Sequence, residues 1–377
     1  MVVWSVRGAD YEHGGAVRRV LFGSCNKQHA PQPLWATMSN AGASAFFWTG
    51  DAVYPNRSDA DALETAFRLQ RLRPEYASFL ETVSVVDGTW DDHDLGVNDA
   101  GRDAAELDRR RELFFDFLGR TKTRRNGTYV SHRFGDDLVV ILLDTRSFRD
   151  SYLVPSVGAW CRGVPVIGRM MPLLAALVRL STRWLGGFGD VLGEAQWQWL
   201  ERELLDAADA ANFVVVVSSI QFATSNPSFE SWGHFPRAKR RFQDLLSATK
   251  PKGFVLLSGD VHHAEIAKVG PLTEVTSSGM THTLATSKVT RLLFPPLLAF
   301  FRSHRPHPDA YATQLNYGQI DLLPSPAKGK EPSMVVSVRG VDGLPILPTV
   351  QVRSRPYGDD DGDGDQTTCQ QQTPPSL

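Results

Sequence analysis

The chain has 377 residues, 42% of them hydrophobic, 10% aromatic and 22% charged, which is the usage of one large globular domain or two ordinary ones. Forty basic residues against 42 acidic ones leave a net charge of −2, so no overall basic surplus points to nucleic acid. Three cysteines, Cys25, Cys161 and Cys369, are too few for a disulfide framework. Residues 1–18 form an N-terminal extension, and its opening stretch MVVWSVRGADYEHGG holds no long apolar run, so no signal peptide is expected. The sequons at Asn56 and Asn126 are short enough to arise by chance. Arg19–Phe22 reads as a strand followed by GSCN, and Ser44–Thr49 as a strand followed by GDAVY. Asp59–Leu80 has helical spacing, with Leu63, Phe67 and Leu72 on one side. Thr82–Val86 is a strand that runs into DGTWDDHD, and Asp103–Leu118 is a helix. Asn126-Gly127 signals a hairpin between Arg124–Arg125 and the strand Thr128–Phe134. Gly135-Asp136 turns the chain into Leu138–Leu143, which ends in DTR. Glu194–Leu205 and Arg237–Leu246 are predicted helices, and Phe213–Val217 and Gly253–Leu257 buried strands, the second ending in SGDVHH. Leu272–Thr276, Gly318–Leu322, Ser333–Val338 and Pro348–Val352 complete the strands.

Strands alternating with helices indicate an α/β architecture. The Val, Ile, Leu and Phe runs are too continuous for half-exposed strands, so helices should cover the sheets. No Gly/Ser linker divides the chain, which gives one domain over 19–354 and a polar tail, 355–377, expected to be disordered. In that tail Asp359, Asp361, Asp363 and Gly364 copy the first half of a calcium loop, but Gln370 falls where the closing glutamate belongs. Two very apolar stretches, about 164–188 and 289–303, interrupt the domain. A bilayer span needs roughly 20 mostly apolar residues, and Arg179 breaks the better run. The preferred reading is a lid or cover packed on the core. The sharper one is an apolar patch with basic rims that makes peripheral contact with a membrane surface or a lipid-like substrate.

Chemistry gathers at the strand ends. They supply Cys25, then Asp51 and Tyr54, then Asp91, Asp92, His93 and Asp94, then Asp144 and Arg146, then Asp260, His262 and His263. In open α/β sheets ligands bind beyond the carboxyl ends of strands. Singly, each has a bland reading: a lone Gly-Asp is a turn, and a lone Cys is a small core residue. Collected together, the carboxylates would repel one another unless metal ions lay between them. Carboxylate and imidazole suit several divalent ions. A phenolate from Tyr54 must lose a proton with an ordinary pKa near ~10, which calls for a highly charged ion such as ferric iron. Three residues separate Asp51 from Tyr54, so a tight turn can aim both at one ion or let Asp51 bridge two.

GSC at 23–25, TGDAVY at 49–54, WDDHD at 90–94 with ND at 98–99, LLDTR at 142–146 and SGDVHHAE at 258–265 resemble the PhoD-type alkaline phosphatases, within the metallophosphoesterase-like group. LGEAQWQWLERELL at 192–205 and EVTSSGMTH at 274–282 extend the resemblance from about Val20 to Leu323. It implies a sandwich of two mixed β-sheets flanked by helices, and hydrolysis of a small phosphate ester, monoester or diester, by a metal-activated water. It implies two or more metal ions. Asp51 resembles the aspartate shared between two of them, and Cys25, Tyr54 and His262 the ligands of a ferric ion. Asp92 and Asp260 take the places of ligands to a second site, calcium in this family. His93 resembles the histidine that assists the leaving group, and Arg146 and Asn98 are candidates to hold phosphate oxygens.

Arg146 carries an equally weighted alternative, an ion pair with Asp144. His262 is preferred over His263 by motif, because neighbours on an extended segment face opposite ways. Asp91 and Asp94 are expected to orient His93 or a ligand, Trp90 to lie in the core, and His282 to make a loop contact. The competing function class is a catalytically silent scaffold or membrane-surface binding protein on the same fold. The complete ligand set disfavours it.

Overall fold

Residues 11–13, 17–120, 126–152, 189–224, 226, 229–286, 303–307, 309–324, 331–359 and 368–370 are described by the computed structural model. Alternation along the strands decides its layers. In β2 (Arg19–Gly23) and β3 (Ala45–Thr49), Val20, Phe22 and Phe47 point one way, and Leu21, Phe46 and Trp48 the other. Successive side chains of a strand must face opposite sides, so each strand feeds two cores. In β7 (Phe213–Val217) the same alternation sends Val215 and Val217 inward and Val214 and Val216 outward. Burying one such side chain contributes about 1.5–3 kcal/mol. A one-residue slip would reverse every one of them, which pins the register.

Two mixed sheets result. One has eight strands in the order β1-β5-β6-β7-β8-β10-β9-β11. These are β1 (Tyr11–His13), β5 (Val130–Phe134), β6 (Leu138–Leu142), β7, β8 (Phe254–Ser258), β9 (Ala264–Val269), β10 (Leu272–Ser277) and β11 (Tyr311–Ala312). The other has seven, in the order β15-β14-β13-β12-β2-β3-β4. Its remaining members are β4 (Val85–Thr89), β12 (Tyr317–Leu323), β13 (Ser333–Arg339), β14 (Thr349–Arg353) and β15 (Thr368–Gln370). The sheets face each other across a core that includes Val20, Phe22, Phe47, Val215, Val255 and Val336. Helices α1 (Leu34–Ser39), α2 (Ala60–Arg71), α3 (Pro74–Leu80) and α4 (Leu107–Leu118) cover the seven-stranded sheet through Trp35, Phe67, Phe79 and Phe114. Helices α5 (Glu194–Ala210) and α6 (Pro236–Thr249) cover the eight-stranded one through Trp197, Leu200 and Phe242. This is the sandwich the resemblance implied.

Several boundaries differ from the sequence reading, each for a local reason. The helix predicted over 59–80 is two helices. Asp59 caps the first by accepting from the Ala62 N–H at 2.9 Å, and Pro74 opens the second. Proline pushes the residue before it out of the helical region, and Arg73 has ψ 122°. Strand β4 starts at Val85, not Thr82, and carries Asp87 inside it, because Arg120 and His132 receive that carboxylate. The residues that were to pair with β5, Arg124–Arg125, lie outside the described residues, and β5 pairs in parallel with β1. The tail is not wholly disordered. Tyr357 is buried against Phe254, and Thr368–Gln370 pairs with β14. An edge strand offers unpaired backbone groups to any nearby segment, which composition alone does not reveal. The apolar stretches fall outside the described residues, 303 excepted, as does most of the calcium-loop-like segment. No helix among the described residues is long and apolar enough to cross a membrane.

Candidate metal centre

Strands β2, β3 and β4 run parallel in one sheet, and β6, β7 and β8 in the other. Their carboxyl ends converge, and backbone bonds lock the turns together. The Asn26 N–H donates to the Asp51 carbonyl at 2.9 Å, and the Gly259 N–H to that of Ser219 at 3.0 Å. Cys25, Asp51, Asp260 and His262 all take left-handed backbone conformations, with φ of 63°, 50°, 70° and 57°. That conformation costs roughly 1–2 kcal/mol for each non-glycine residue, and such strain gathers at functional sites. Gly50 has φ 105°, and a Cβ there would sit 2.7 Å from the Asp91 Cβ. Asp94 ties two turns into one unit, accepting from the N–H groups of Ala52 at 2.9 Å, Val53 at 3.3 Å and Asp91 at 2.9 Å.

The ligand-type atoms fall into overlapping groups within which all atoms lie within 4.8 Å of one another. Cys25, Asp51 and His262 form one; Asp51, Asp92 and His93 a second; Asp51, Asp91, Asp92 and Asp260 a third; Asp92, Asp99 and Glu230 a fourth. Asp51 belongs to three of the four. Tyr54 joins the first, its hydroxyl donating to Asp51 Oδ2 at 2.6 Å and lying 3.1 Å from His262 Nε2. Cys25 Sγ is 3.6 Å from the same Oδ2. The Ser278 hydroxyl accepts from the His262 N–H at 2.7 Å and lies 3.0 Å from Cys25 Sγ.

Electrostatics says what the cluster lacks. Burial, then the neighbouring Cys25, Asp92 and Asp91, raises Asp51 well above the ordinary carboxylate range. Burial, then Asp91, Glu230 and Asp92, does the same to Asp260. Asp91 is pushed up to about 6 by burial, against the pull of Arg146. Burial pushes the Cys25 thiol up to about 12 and the His262 imidazole down to about 3. Asp92 stays below its ordinary value despite burial, through His93, Arg146 and the Asp99 N–H. Asp91 Oδ2 and Asp92 Oδ1 are buried with no hydrogen-bond partner. Buried carboxylates are tolerated when paired or bound to metal. Protein cations are too few here, and the donor set of thiol, phenol, imidazole and carboxylates fits metal ions.

The model of one family, described as PhoD-like phosphatase, matches residues 20–317. The chain belongs to the PhoD-like phosphatase family. With membership comes the family's activity, the hydrolysis of phosphate esters, and the overlapping groups are of a kind that could hold metal ions. The solved structure of PhoD is 15% identical, covers 91% of this chain and 71% of its own, and superposes with a TM-score of 0.64, which shows the shared fold. A dimetal phosphatase from Danio rerio is 13% identical over 90% of this chain and 99% of its own, with a TM-score of 0.48. None of the curated proteins compared with the chain matches it.

In this PhoD-like phosphatase, Cys25, Asp51, Tyr54, Asp92, His93, Asp260 and His262 come together. Two predicted residues do not join them. Arg146 is fully buried, with Nε on Asp91 at 2.5 Å and both terminal nitrogens on Glu230 at 3.0 and 2.7 Å. Its fork is therefore filled by carboxylates and cannot also clamp a phosphate, and its link to Asp144 is through the backbone N–H, at 3.0 Å. Asn98 belongs to none of the ligand groups, and its amide donates to Asp99, a member of the fourth, at 2.9 Å. His263 points away, donating from Nδ1 to the Val261 carbonyl at 2.9 Å and facing Glu265. Trp90 is in the core. His282 comes closer than a loop contact, its ring centroid 4.4 Å from that of His262 and 4.9 Å from that of Tyr54. Glu230 and Lys27 were missed. Glu230 sits in SFESWGH, away from any strand end, so no positional signal marks it.

Proposed function

We propose that this PhoD-like phosphatase hydrolyses small phosphate esters with a ferric ion held by Cys25, Asp51, Tyr54 and His262 and calcium held by Asp51, Asp92 and Asp260. The observation that carries the reading is the place of Asp51 in three ligand groups at once, with thiol, phenol and imidazole in one and the carboxylates of Asp91, Asp92 and Asp260 in another. Cys25 and Tyr54 have pKa values raised by burial, so only a strongly Lewis-acidic ion displaces both protons, while the carboxylate side suits a hard cation. Such ions supply neutralisation of phosphoryl oxygens and activation of water.

The chain's own residues do the rest. The loose transition state of phosphoryl transfer leaves the protein mainly positioning and electrostatics. His93 is half-buried at the mouth of the cluster, its ring 4.1 Å from that of Tyr54, and its backbone N–H donates to Asp51 at 3.2 Å. Burial holds its imidazole below the ordinary range, although Asp92 opposes this. An arriving phosphate dianion acts with Asp92 and favours the protonated ring. That ring then gives its proton to the departing oxygen. Arg146 acts indirectly, by holding Asp91 and Glu230 in place.

Elemental analysis of protein purified without added metal tests the assignment. Roughly one iron per chain together with calcium is expected for a mixed two-metal centre. Zinc or manganese with no iron would keep the hydrolase and remove Cys25 and Tyr54 from the ligand set. No bound metal, and none taken up on addition, would sink the reading. Asp51→Asn and His262→Ala are each expected to lose metal and hydrolysis together.

A further inference from the structure

The loop that carries Cys25 also carries an uncommitted cation. Arg146 and Arg149 both face Glu230, Arg149 at 3.5 Å. Lys27 differs, since among the described residues no carboxylate lies within ion-pair distance of its amine. It is half-buried, with Nζ 5.4 Å from the centroid of the Tyr54 ring. That ring also contacts His93 and His282, with centroids 4.1 and 4.9 Å away, and the ammonium is within Coulombic reach of His93, His262 and His282. Its backbone is clamped. The Lys27 N–H donates to the Thr281 hydroxyl at 2.7 Å, which itself donates to the Cys25 carbonyl at 3.2 Å, and the Met280 N–H donates to the Ser24 carbonyl at 3.1 Å. The centre thus has a point charge beside the Tyr54 ring, which also packs on His93.

We propose that Lys27 reads the second negative charge of a phosphate monoester and makes this centre prefer monoesters over diesters. A monoester has a second pKa near ~6 and carries close to two charges above neutral pH, whereas a diester carries one. An unpaired lysine acts on phosphate as a point charge. It therefore favours the ligand with an extra unesterified oxygen over one whose corresponding oxygen bears an alkyl or aryl group. The tyrosine face under the amine holds it by cation–π attraction without neutralising it. This preference rests on the phosphoesterase reading above, and it names the substrate class for the same site.

The test uses the full chain with the metals it carries, as wild type, Lys27→Met and Lys27→Arg, each checked for equal metal content. With p-nitrophenyl phosphate at pH 8, kcat/KM of Lys27→Met is expected to fall about 10- to 100-fold, the worth of one hydrogen bond to a charged group. With bis(p-nitrophenyl) phosphate it should fall by a clearly smaller factor, and Lys27→Arg should restore most of the monoester rate. Calorimetric titration with inorganic phosphate and with dimethyl phosphate gives the same comparison without turnover. Lys27→Met should weaken the first far more than the second. An unchanged monoester-to-diester ratio, with both phosphate affinities unchanged or equally weakened, overturns the proposal. If the wild type hydrolyses neither ester, the phosphoesterase reading fails, and the binding comparison still decides the role of Lys27.

Discussion

Asp87 and Asp91 stand on one short run of chain, both out of water, and they meet opposite conditions. Asp87 accepts from Arg120 and from His132, the latter at 2.8 Å. Burial would raise its pKa, but Arg120 and His132 outweigh burial and hold it below the ordinary range. Asp91 shares its one cation, Arg146, with Glu230, and burial wins. The contrast repeats beyond β8. Glu265 is held well below its ordinary value, because the adjacent His263 and His304 outweigh burial, whereas Asp260, five residues earlier, is raised. A buried carboxylate given its own cations is finished structure. One denied them is a socket for a cation from outside. The dividing line follows the strands: Asp87 lies within β4, and Asp91, Asp51 and Asp260 lie past strand ends.

The sharpest way to break this division is to remove a cation from the finished side. Arg120→Met leaves Asp87 buried beside His132 alone. Breaking a buried pair from one side costs about 3–5 kcal/mol, which urea unfolding should register while the folded protein keeps its metal. Adding Asp87→Asn should recover much of the loss, as coupled partners do. A loss below about 1 kcal/mol, the worth of a surface pair, would place Asp87 among the poorly compensated groups instead. On the other side the sign reverses. In metal-free protein near neutral pH, Asp51→Asn removes a carboxylate that burial penalises. It should raise the unfolding free energy, because the buried carboxyl must keep a proton that the unfolded chain releases, though the same change destroys metal loading.

Much of this was legible in the sequence, for a physical reason. A parallel strand buried on both faces is a continuous apolar run, so the first polar residues after it mark the catalytic edge of a sheet. Cys25, Asp51 and Asp260 announce themselves in that way, whereas Asp92 follows a strand whose apolar run is broken by Asp87. What stayed hidden depends on contacts distant in sequence. Nothing near Arg146 foretells that Glu230, from a loop after β7, fills its fork. Nothing near Asp87 foretells that Arg120 and His132 let a charged residue enter a strand. The break at Pro74 is a different kind of miss, because the signal was present and the helical spacing on either side masked it.

The smallest expected effect concerns the slope of stability with pH. A group whose folded pKa is lowered leaves the folded state with fewer bound protons than the unfolded chain. Its contribution is present above the unfolded value and is lost as pH falls through the folded one. Glu265 behaves so, and the stability difference between wild type and Glu265→Gln should be largest above pH ~4.3 and shrink in stronger acid. Asp91 behaves oppositely in metal-free protein. With its folded pKa at about 6, the folded state holds a proton that the unfolded chain has released, so stability falls as pH rises from the ordinary carboxylate value to about 6. The difference between metal-free wild type and Asp91→Asn, followed by urea unfolding, should therefore decline across that window and then level off. A difference that stays flat there would mean Arg146 compensates Asp91 fully. Asp91 would then move to the finished side with Asp87, and the carboxylates raised by burial would narrow to Asp51 and Asp260.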